Sequence, residues 1–233
     1  MSRTANIQEI FRSIQGEGRY AGMPAVFVRF SGCNLRCTHC DTNRSWRQVK
    51  YCSYQPVEFG RRTAKIPNNI SVQDCADMIY WLAPQGLVCF TGGEPLLQAG
   101  YISAVIKLLG NRYTYLIETN GTLSAALRKL PKQENIIYSV DLKPNTVDKF
   151  LQFYQAIPKQ SDKYMKIILE KNINTNKIMA VLEKFRRNIP EIYLQPINNK
   201  VDRVLLQKIT FLLDKNGYFY RLIPQMHKFL RLK

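Results

Sequence analysis

Segments with the composition of β-strands alternate with segments of helical periodicity along most of the chain, and this alternation constrains the fold strongly. The strand-like segments cover residues 25–30, 87–90, 114–118, 135–141, 163–169, 191–196 and 218–223. The helix-like segments cover residues 72–83, 96–110, 174–188 and 201–217. Strands connected through helices are parallel. The order therefore predicts an α/β fold, an incomplete (β/α)6-type TIM-like barrel, with residues 1–233 as a single domain.

Capping residues mark where several of these helices begin and end. Ser71 is a predicted N-cap, Pro84 and Gly86 follow the end of that helix, and Gly217 fits the end of the last one. Residues 46–69 interrupt the alternation with basic residues, prolines and a glycine. We expect this stretch to be a surface insertion and assign it no role.

Polar or glycine-containing segments follow many of the predicted strands. They are a cysteine-containing loop after residue 30 and the sequences TGGEP, ETNG, DLKP and QPINN, which begin at residues 91, 118, 141 and 195. The carboxyl ends of parallel strands meet at one edge of the sheet, where α/β proteins carry their functional residues. The sequence therefore predicts a functional site at this edge.

Three cysteines stand close together, at Cys33, Cys37 and Cys40, in a C-x3-C-x2-C spacing. A zinc site needs four tetrahedral ligands, and here the fourth would have to come from Cys52 or from the cramped His39. Buried core cysteines do not suit so polar a loop, and disulfides are rare in the cytosol. A [4Fe–4S] cluster held by three thiolates fits better, because it leaves one iron open to a small molecule.

Charge and hydropathy limit the compartment and the partners. The chain carries 34 Lys and Arg against 17 Asp and Glu, a formal charge of +17. Such an excess can attract polyanions such as tRNA, but no compact basic block is present, so a nucleic-acid partner is not favoured. With no run of 18 apolar residues and no apolar leader, we expect a cytoplasmic protein without a membrane partner. Cys75 and Cys89 lie in apolar segments and are predicted core residues.

The cysteine spacing together with TGGEP resembles the radical S-adenosylmethionine (SAM) superfamily. The resemblance implies that SAM chelates the open iron, and that reduction of the cluster cleaves SAM to methionine and a 5′-deoxyadenosyl radical. His39 occupies the position before the last cysteine, where that superfamily often has a bulkier aromatic residue. Gly92 and Gly93 allow close backbone approach, and Glu94 would offer a carboxylate to the SAM ammonium.

Longer segments resemble the 7-carboxy-7-deazaguanine synthase family within that superfamily. They are EIFRSIQGEGRYAGMPAVFVRFSGCNLRCTHCDT from residue 9, and IETNGT, LQPIN and RLIPQMHKFLRLK from residues 117, 194 and 221. The family converts 6-carboxy-5,6,7,8-tetrahydropterin to 7-carboxy-7-deazaguanine with loss of ammonia, in a lyase reaction assisted by Mg²⁺. The product leads to preQ0 and to queuosine or archaeosine in tRNA. Members are usually homodimers, and we expect a homodimer here.

The resemblance implies a role for each matching residue. The [4Fe–4S] ligands would be Cys33, Cys37 and Cys40, and Thr42 would bind Mg²⁺. SAM contacts would come from His39, Cys40, Asp41, Gly93, Glu94, Asp141, Leu142, Lys143, Gln195, Pro196, Ile197 and Asn198. Pterin contacts would come from Ile14, Gln15, Gly16, Arg29, Thr91, His227 and the carboxylate of Lys233. Glu118 and Asn120 would lie at or near the reacting groups.

Several of these residues also have a purely structural interpretation. The Gln15–Gly16 pair could form a tight turn, Arg29 could be a surface arginine at a strand edge, and Asn120 could shape a turn before Gly121. Many family members carry Ser-Pro-Lys where this chain has Asp141, Leu142 and Lys143. The aspartate changes the charge near the SAM ribose but can still accept from ribose hydroxyls.

Two other functions remain as alternatives. An activase that installs a glycyl radical on a partner protein shares the cysteine loop and GGEP, but lacks the SIQGEG and QMHKFL segments. A zinc-binding RNA module with Cys52 as fourth ligand fits the charge, but does not explain the polar segments at successive strand ends. If the chain is a radical SAM enzyme, the electron donor that reduces its cluster would be a flavodoxin or a ferredoxin.

Overall fold

The computed structural model describes residues 3–38, 40–56, 63–170, 173–200 and 202–231. Its strands are β1 (Thr4–Ala5), β2 (Ile7–Ile14), β3 (Pro24–Phe30), β4 (Tyr51–Tyr54), β5 (Ala64–Pro67), β6 (Ile70–Ser71), β7 (Gly86–Gly92), β8 (Tyr113–Thr119), β9 (Ile136–Leu142), β10 (Asp162–Leu169), β11 (Ile192–Pro196) and β12 (Tyr220–Leu222). Its helices are α1 (Val72–Leu82), α2 (Ala99–Leu109), α3 (Val147–Ala156), α4 (Thr175–Glu183), α5 (Arg203–Lys215) and α6 (Met226–Phe229).

Ten strands form one sheet in the order β12-β11-β10-β9-β8-β7-β3-β2-β4-β5, and β1 pairs with β6 separately. The seven strands from β3 to β12 in this order are mutually parallel. β2 runs antiparallel to β3 and joins β4 to the sheet. In the part of the chain that the structure describes, β12 and β5 are unpaired edges, so strand pairing does not close a barrel. The α/β fold with a parallel sheet is confirmed.

The parallel strands are buried on both faces, as crossover helices require. One set of side chains packs between the sheet and the helices, including Val88 and Phe90 of β7. A smaller apolar cluster lies on the opposite face and consists of Phe11, Ala25, Phe27, Leu87, Cys89, Leu116, Ile137, Tyr164 and Tyr193. Cys75 and Cys89 are fully buried, which confirms their prediction as core residues.

Each predicted strand and helix has a counterpart in the structure. The Ser71 hydroxyl accepts from the Asp74 amide 3.0 Å away, which confirms the predicted N-cap of α1. The predicted helix over residues 96–110 is shorter as an α-helix, because residues 95–98 form a 3-10 turn before α2. The helix expected to reach residue 188 ends at Glu183.

The structure contains elements that the sequence analysis did not predict. They are β2, α3 and the short strands β1 and β6. The expected surface insertion also contributes β4 and β5, which extend the sheet beside β2, and its Cys52 is fully buried. β4 joins the sheet by pairing with β2, far earlier in the chain, whereas β5 pairs with its neighbour in sequence, β4. Residues 57–62 of the insertion lie outside the described residues.

Residues 15–19 connect β2 to the far side of the sheet. Gln15 reaches Glu118 of β8, with 3.2 Å between amide nitrogen and carboxylate oxygen. The Arg19 guanidinium pairs with Asp162 of β10 and with Glu191, which precedes β11. Residues 15–19 therefore run from β2 across the sheet to β8, β10 and the start of β11. Among the described residues, no helix is long and apolar enough to span a membrane.

Candidate active site

A cavity of about 220 Å³ lies at the carboxyl ends of the parallel strands. On several strands, the residue that lines the cavity lies two positions after a residue of the smaller apolar cluster. On β3 the row runs from Phe27 to Arg29, on β7 from Cys89 to Thr91, and on β10 from Tyr164 to Lys166. Side chains two apart share a face of a sheet. The same face is thus apolar at its base and polar at its carboxyl edge.

Most of the predicted site residues line this one cavity. They are Ile14, Gln15, Gly16, Arg29, Cys33, Cys37, Cys40, Asp41, Thr42, Thr91, Gly93, Glu118, Asn120, Asp141, Lys143, Gln195, Pro196, Ile197 and His227. They come from loops that are separated by up to 213 residues of sequence. The predicted meeting of these segments at one edge of the sheet is confirmed.

The three loop cysteines are unpaired and half-buried. The Leu35 amide donates to the Cys33 sulfur at 3.4 Å, and Cys40 Sγ lies 3.9 Å from the Thr42 hydroxyl. Burial raises the pKa of the Cys33 and Cys37 thiols. Cys52 does not line the cavity, so the described residues do not complete a four-cysteine zinc site. Three thiols facing one cavity are a donor set that fits a [4Fe–4S] cluster with one open iron.

Close backbone packing holds the cysteine loop against TGGEP. The Gly93 amide donates to the Phe30 carbonyl at 3.1 Å, and the Glu94 amide donates to the Gly32 carbonyl at 2.8 Å. A Cβ on Gly93 would lie 2.0 Å from the Gly32 oxygen. This position therefore requires glycine, and the requirement is steric.

Glu94 lies beneath the cavity wall and does not line it. One carboxylate oxygen accepts from the Leu96 amide at 3.0 Å and the Thr119 hydroxyl at 2.8 Å, and the other from the Asn120 amide at 2.8 Å. Burial raises the pKa of Glu94 to about 7. The Asn120 side chain donates to the Asn34 side-chain oxygen at 2.9 Å and so joins ETNG to the cysteine loop.

The predicted pterin residues approach one another from the two ends of the chain. The Met226 amide donates to the Gly16 carbonyl at 3.0 Å, and a Cβ on Gly16 would lie 2.3 Å from His227 Nδ1. Burial lowers the pKa of His227, so its imidazole is neutral at pH 7. Arg29 donates through Nε to Glu9 at 2.8 Å.

A cluster of four charged side chains occupies the side of the cavity formed by β9 and β10. Lys166 Nζ lies 2.7 Å from a Glu17 oxygen and 3.0 Å from an Asp141 oxygen. Lys143 Nζ lies 2.7 Å from the other Asp141 oxygen. The two ammonium groups lower the pKa of Asp141 to about 2. The added acid at position 141 is therefore neutralised locally.

One buried amide on the wall supports binding of a small molecule. The amide nitrogen and the amide oxygen of the Gln195 side chain are both buried and have no hydrogen-bond partner among the described residues. Gln195 is 3% exposed and lines the cavity. A buried amide without partners is unfavourable unless a ligand or water completes it. The site therefore fits a polar ligand such as SAM beside the cysteines.

Four other predicted site residues either have side chains that point away from the cavity or have side chains that the structure does not describe. The Leu142 side chain is buried in the core between sheet and helices, so only its backbone could contact SAM. Nothing is described of the Asn198 side chain, although its backbone lies in the turn 197–199. His39 and Lys233 lie outside the described residues.

The sequence analysis missed several polar cavity residues, among them Glu17, Lys166, Gln225 and Lys228. The Gln225 amide donates to Glu17 at 2.7 Å and to Asp41 at 3.1 Å. Lys228 also pairs with Asp41 at 3.1 Å. A signal for Lys166 existed in the sequence, since a lysine inside an otherwise apolar strand needs a buried partner.

Trp46, from the supposed surface insertion, also lines the cavity. Its ring lies 5.2 Å from the Arg36 guanidinium carbon, which belongs to the cysteine loop. The start of that stretch is therefore part of the site.

Comparison with known proteins assigns the family. Residues 27–205 match the Radical SAM superfamily. The 7-carboxy-7-deazaguanine synthase of Thermoplasma acidophilum is 32% identical over 227 residues, covering 96% of each chain. That of Aquifex aeolicus is 32% identical over 232 residues, covering 97% of this chain and 94% of the relative. The crystal structure of QueE from Escherichia coli shares the fold, with a TM-score of 0.66, 24% identity and coverage of 95% and 94%. The chain belongs to the radical SAM superfamily and, within it, to the 7-carboxy-7-deazaguanine synthase family.

Proposed function

We propose that this chain contracts the ring of 6-carboxy-5,6,7,8-tetrahydropterin to 7-carboxy-7-deazaguanine with loss of ammonia, as part of 7-deazapurine biosynthesis. One observation carries the proposal. The three loop thiols open into the same cavity as the Gln15–Gly16 and His227 segments from the two ends of the chain. Membership of the family supports the reaction type.

Cys33, Cys37 and Cys40 would hold the cluster, with SAM on its open iron. When bound, the two would supply reductive cleavage of SAM and the hydrogen abstraction that this permits. The protein positions the other parts of SAM. Gln195 offers its buried amide, and Asp141 with Lys143 offers a fixed charged pair at the end of β9.

The opposite wall suits a carboxylated pterin. Arg29 is held by Glu9 through Nε, which orients its guanidinium for a substrate carboxylate. Gln15 and Glu118 supply an amide and a carboxylate for the polar edge of the pterin. The neutral imidazole of His227 can accept or donate a hydrogen bond there.

We also propose Mg²⁺ as an assisting ion, bound through the Thr42 hydroxyl. Thr42 lines the cavity close to Cys40. Mg²⁺ usually keeps several waters and takes few protein ligands, so the Thr42 hydroxyl would share the ion with waters and the carboxylate of the bound substrate. The carboxylates of Glu17 and Asp41 are already paired with Lys166 and Lys228.

The remaining expectations concern assembly and partners. We propose a homodimer in the cytoplasm, reduced by a flavodoxin or ferredoxin, with residues 1–233 as one domain. The cavity is lined by residues from Phe11 to Lys228, which supports a single functional unit. The +17 charge provides no specific nucleic-acid site.

The proposal is tested by anaerobic reconstitution with iron and sulfide, followed by incubation with SAM, dithionite, Mg²⁺ and 6-carboxytetrahydropterin. Mass spectrometry should find 7-carboxy-7-deazaguanine with the wild-type chain. Cys37→Ala should lose the cluster absorbance and the product. Cys75→Ala, which removes a fully buried thiol that does not line the cavity, is the matched control and should retain both.

Other results would point to a different function. Release of 5′-deoxyadenosine without the deazaguanine would refute the substrate and leave a glycyl-radical activase or another radical SAM reaction. Bound zinc without SAM cleavage would refute the enzyme itself. Family membership and the distance of Cys52 from the cavity both argue against that result.

A further inference from the structure

Lys166 is a buried lysine at the cavity wall. It lies on β10 two residues after Tyr164, so both side chains are on the face opposite the helices. It is 3% exposed and still lines the cavity. A lysine in this environment is costly to desolvate unless its charge is paired.

Its ammonium joins two acids that come from different walls. Glu17 lies on residues 15–19, beside the predicted pterin residues Gln15 and Gly16. Asp141 is the second-last residue of β9, in the segment predicted to contact SAM. Lys166 Nζ is 2.7 Å from Glu17 Oε2 and 3.0 Å from Asp141 Oδ1. A single charge thus lies between the two halves of the site.

The arrangement has no clear advantage for folding alone. A buried ion pair is often no more stabilising than apolar residues of similar volume, because desolvation offsets the attraction. The base of the same face is mostly apolar, so an apolar side chain would suit that face. A lysine at position 166 is better explained by what it does to the two acids that share the cavity.

The surrounding charges agree with a positioning role. Lys166 faces Glu17, Asp141, Glu118 and Tyr164, with Lys143, Cys89 and Asp41 further out. Its acidic neighbours raise the pKa of Lys166, so it stays charged at neutral pH. Its positive charge also reduces the repulsion between the carboxylates around it.

We propose that Lys166 is a positioning residue that holds Glu17 towards the pterin and Asp141 towards the SAM ribose, and so supports the binding of both ligands. The inference rests on the proposed function, which assigns the two walls. Lys143 and Lys166 lie against the two oxygens of the Asp141 carboxylate and neutralise its charge from both sides.

The test measures equilibrium binding to the cluster-loaded but unreduced protein, without turnover. The probes are fluorescent 6-carboxypterin, followed by its quenching, and SAM, followed by equilibrium dialysis. Lys166→Met should weaken the binding of both probes by about tenfold or more, the loss typical of a charge-assisted hydrogen bond. Lys166→Arg should restore part of the loss for both.

Lys163→Met is the matched control. Lys163 lies three residues earlier on the same strand, and its ammonium donates to the Tyr154 carbonyl of α3 at 2.8 Å, away from the cavity. This variant should bind both probes like the wild type. Urea unfolding should show whether either methionine variant alters stability. Where the wild type binds both probes, a loss for one probe alone, or equal losses in both methionine variants, would overturn the inference.

A second arm covers failure of Lys166→Met to fold. The double variant Lys166→Met/Asp141→Asn leaves no unpaired charge at position 141, and it is compared with Asp141→Asn alone. The double variant should bind 6-carboxypterin about tenfold more weakly than the single one. Equal affinities would refute the role of Lys166.

The binding data also separate this inference from the proposed function. A wild-type chain that binds SAM but not 6-carboxypterin would contradict the substrate and not the positioning of Asp141. The inference then depends on SAM alone, and unchanged SAM affinity in Lys166→Met would refute it.

Discussion

At the scale of single residues, the site depends on backbone contacts that admit no side chain. Gly93 lies against Gly32, next to the first loop cysteine, and a Cβ would meet the Gly32 oxygen at 2.0 Å. Neighbouring backbone cannot give way as a flexible side chain could. The cysteine loop and TGGEP can therefore pack this closely only because Gly93 has no Cβ.

Gly93→Ala should push the two loops apart, lower cluster loading and destabilise the fold by about 2 kcal/mol or more. Gly100→Ala is the control, because Gly100 lies in α2 with nothing within 4 Å of a new Cβ. That variant should gain roughly 0.5–1 kcal/mol from helix propensity. Iron content and urea unfolding measure both effects, and normal loading in Gly93→Ala would contradict the steric argument.

Glu94 predicts a pH dependence of stability. Burial raises its pKa from 4.5 to about 7 in the folded chain. Between these values the folded state binds more protons than the unfolded state, so stability falls as pH rises and levels off above about pH 7. The fall should total about 3 kcal/mol. Glu94→Gln cannot titrate and should lack this component.

Urea unfolding of the cluster-free protein at a series of pH values between 4.5 and 7.5 checks this. The difference between wild type and Glu94→Gln isolates the one carboxyl group from the others. Parallel stability curves would show that the three hydrogen-bond donors to Glu94 cancel the effect of its burial.

At the scale of elements, the short C-terminal segment 224–229 closes one side of the cavity. Gln225 is 5% exposed, and its amide donates to carboxylates from two other loops. Its backbone amide also donates to the Asn199 side-chain oxygen at 2.6 Å. The segment is therefore held by polar contacts to Glu17, Asp41 and the turn 197–199.

Gln225→Glu should release this segment, because it replaces a donor by a third carboxylate between Glu17 and Asp41. We expect faster amide exchange over residues 225–231 and an increase in the KM for the pterin of about tenfold. Phe229→Ala, at a side chain 78% exposed on the same short helix α6, should change neither. Unchanged exchange in Gln225→Glu would mean that the backbone contacts alone hold the segment.

At the scale of the whole molecule, residues 15–19 cross the face of the sheet that carries the cavity. Arg19 ends this crossing with ion pairs to Asp162 and Glu191, including a 2.7 Å contact from Nε to Glu191. The guanidinium carbon also lies 5.3 Å from the centre of the Tyr164 ring. These contacts connect the β2 side of the sheet to β10 and β11, where strand pairing leaves an open edge nearby.

Arg19→Met should lower the free energy of unfolding by about 1–2 kcal/mol, a value reduced because the side chain is one quarter exposed. Arg186→Met removes an exposed pair with Glu183 on the surface and should cost less than about 0.5 kcal/mol. Urea midpoints compare the two. Equal midpoints would show that the crossing segment is held by its other contacts.

Local sequence was enough to predict the α/β class and the loops that carry the site. Strand composition, helical periodicity and the N-cap at Ser71 depend on neighbouring residues, and they were confirmed. The resemblance to the family, and not a strand pattern, pointed to Arg29 and Thr91 as site residues. The short strands β4 and β5 were missed, because the pairing of β4 with the distant strand β2 is what joins them to the sheet.

Tertiary structure alone decided how charged and polar groups in the cavity pair. Lys166 meets Glu17 across 149 residues of sequence, and Gln225 meets Glu17 across 208. Nothing in the local pattern of a strand or loop specifies such a partner, because the pairing depends on how distant segments pack. The sequence by itself determined which segments lie at the carboxyl edge of the sheet. The packing of the chain determined which of their side chains form ion pairs and hydrogen bonds there.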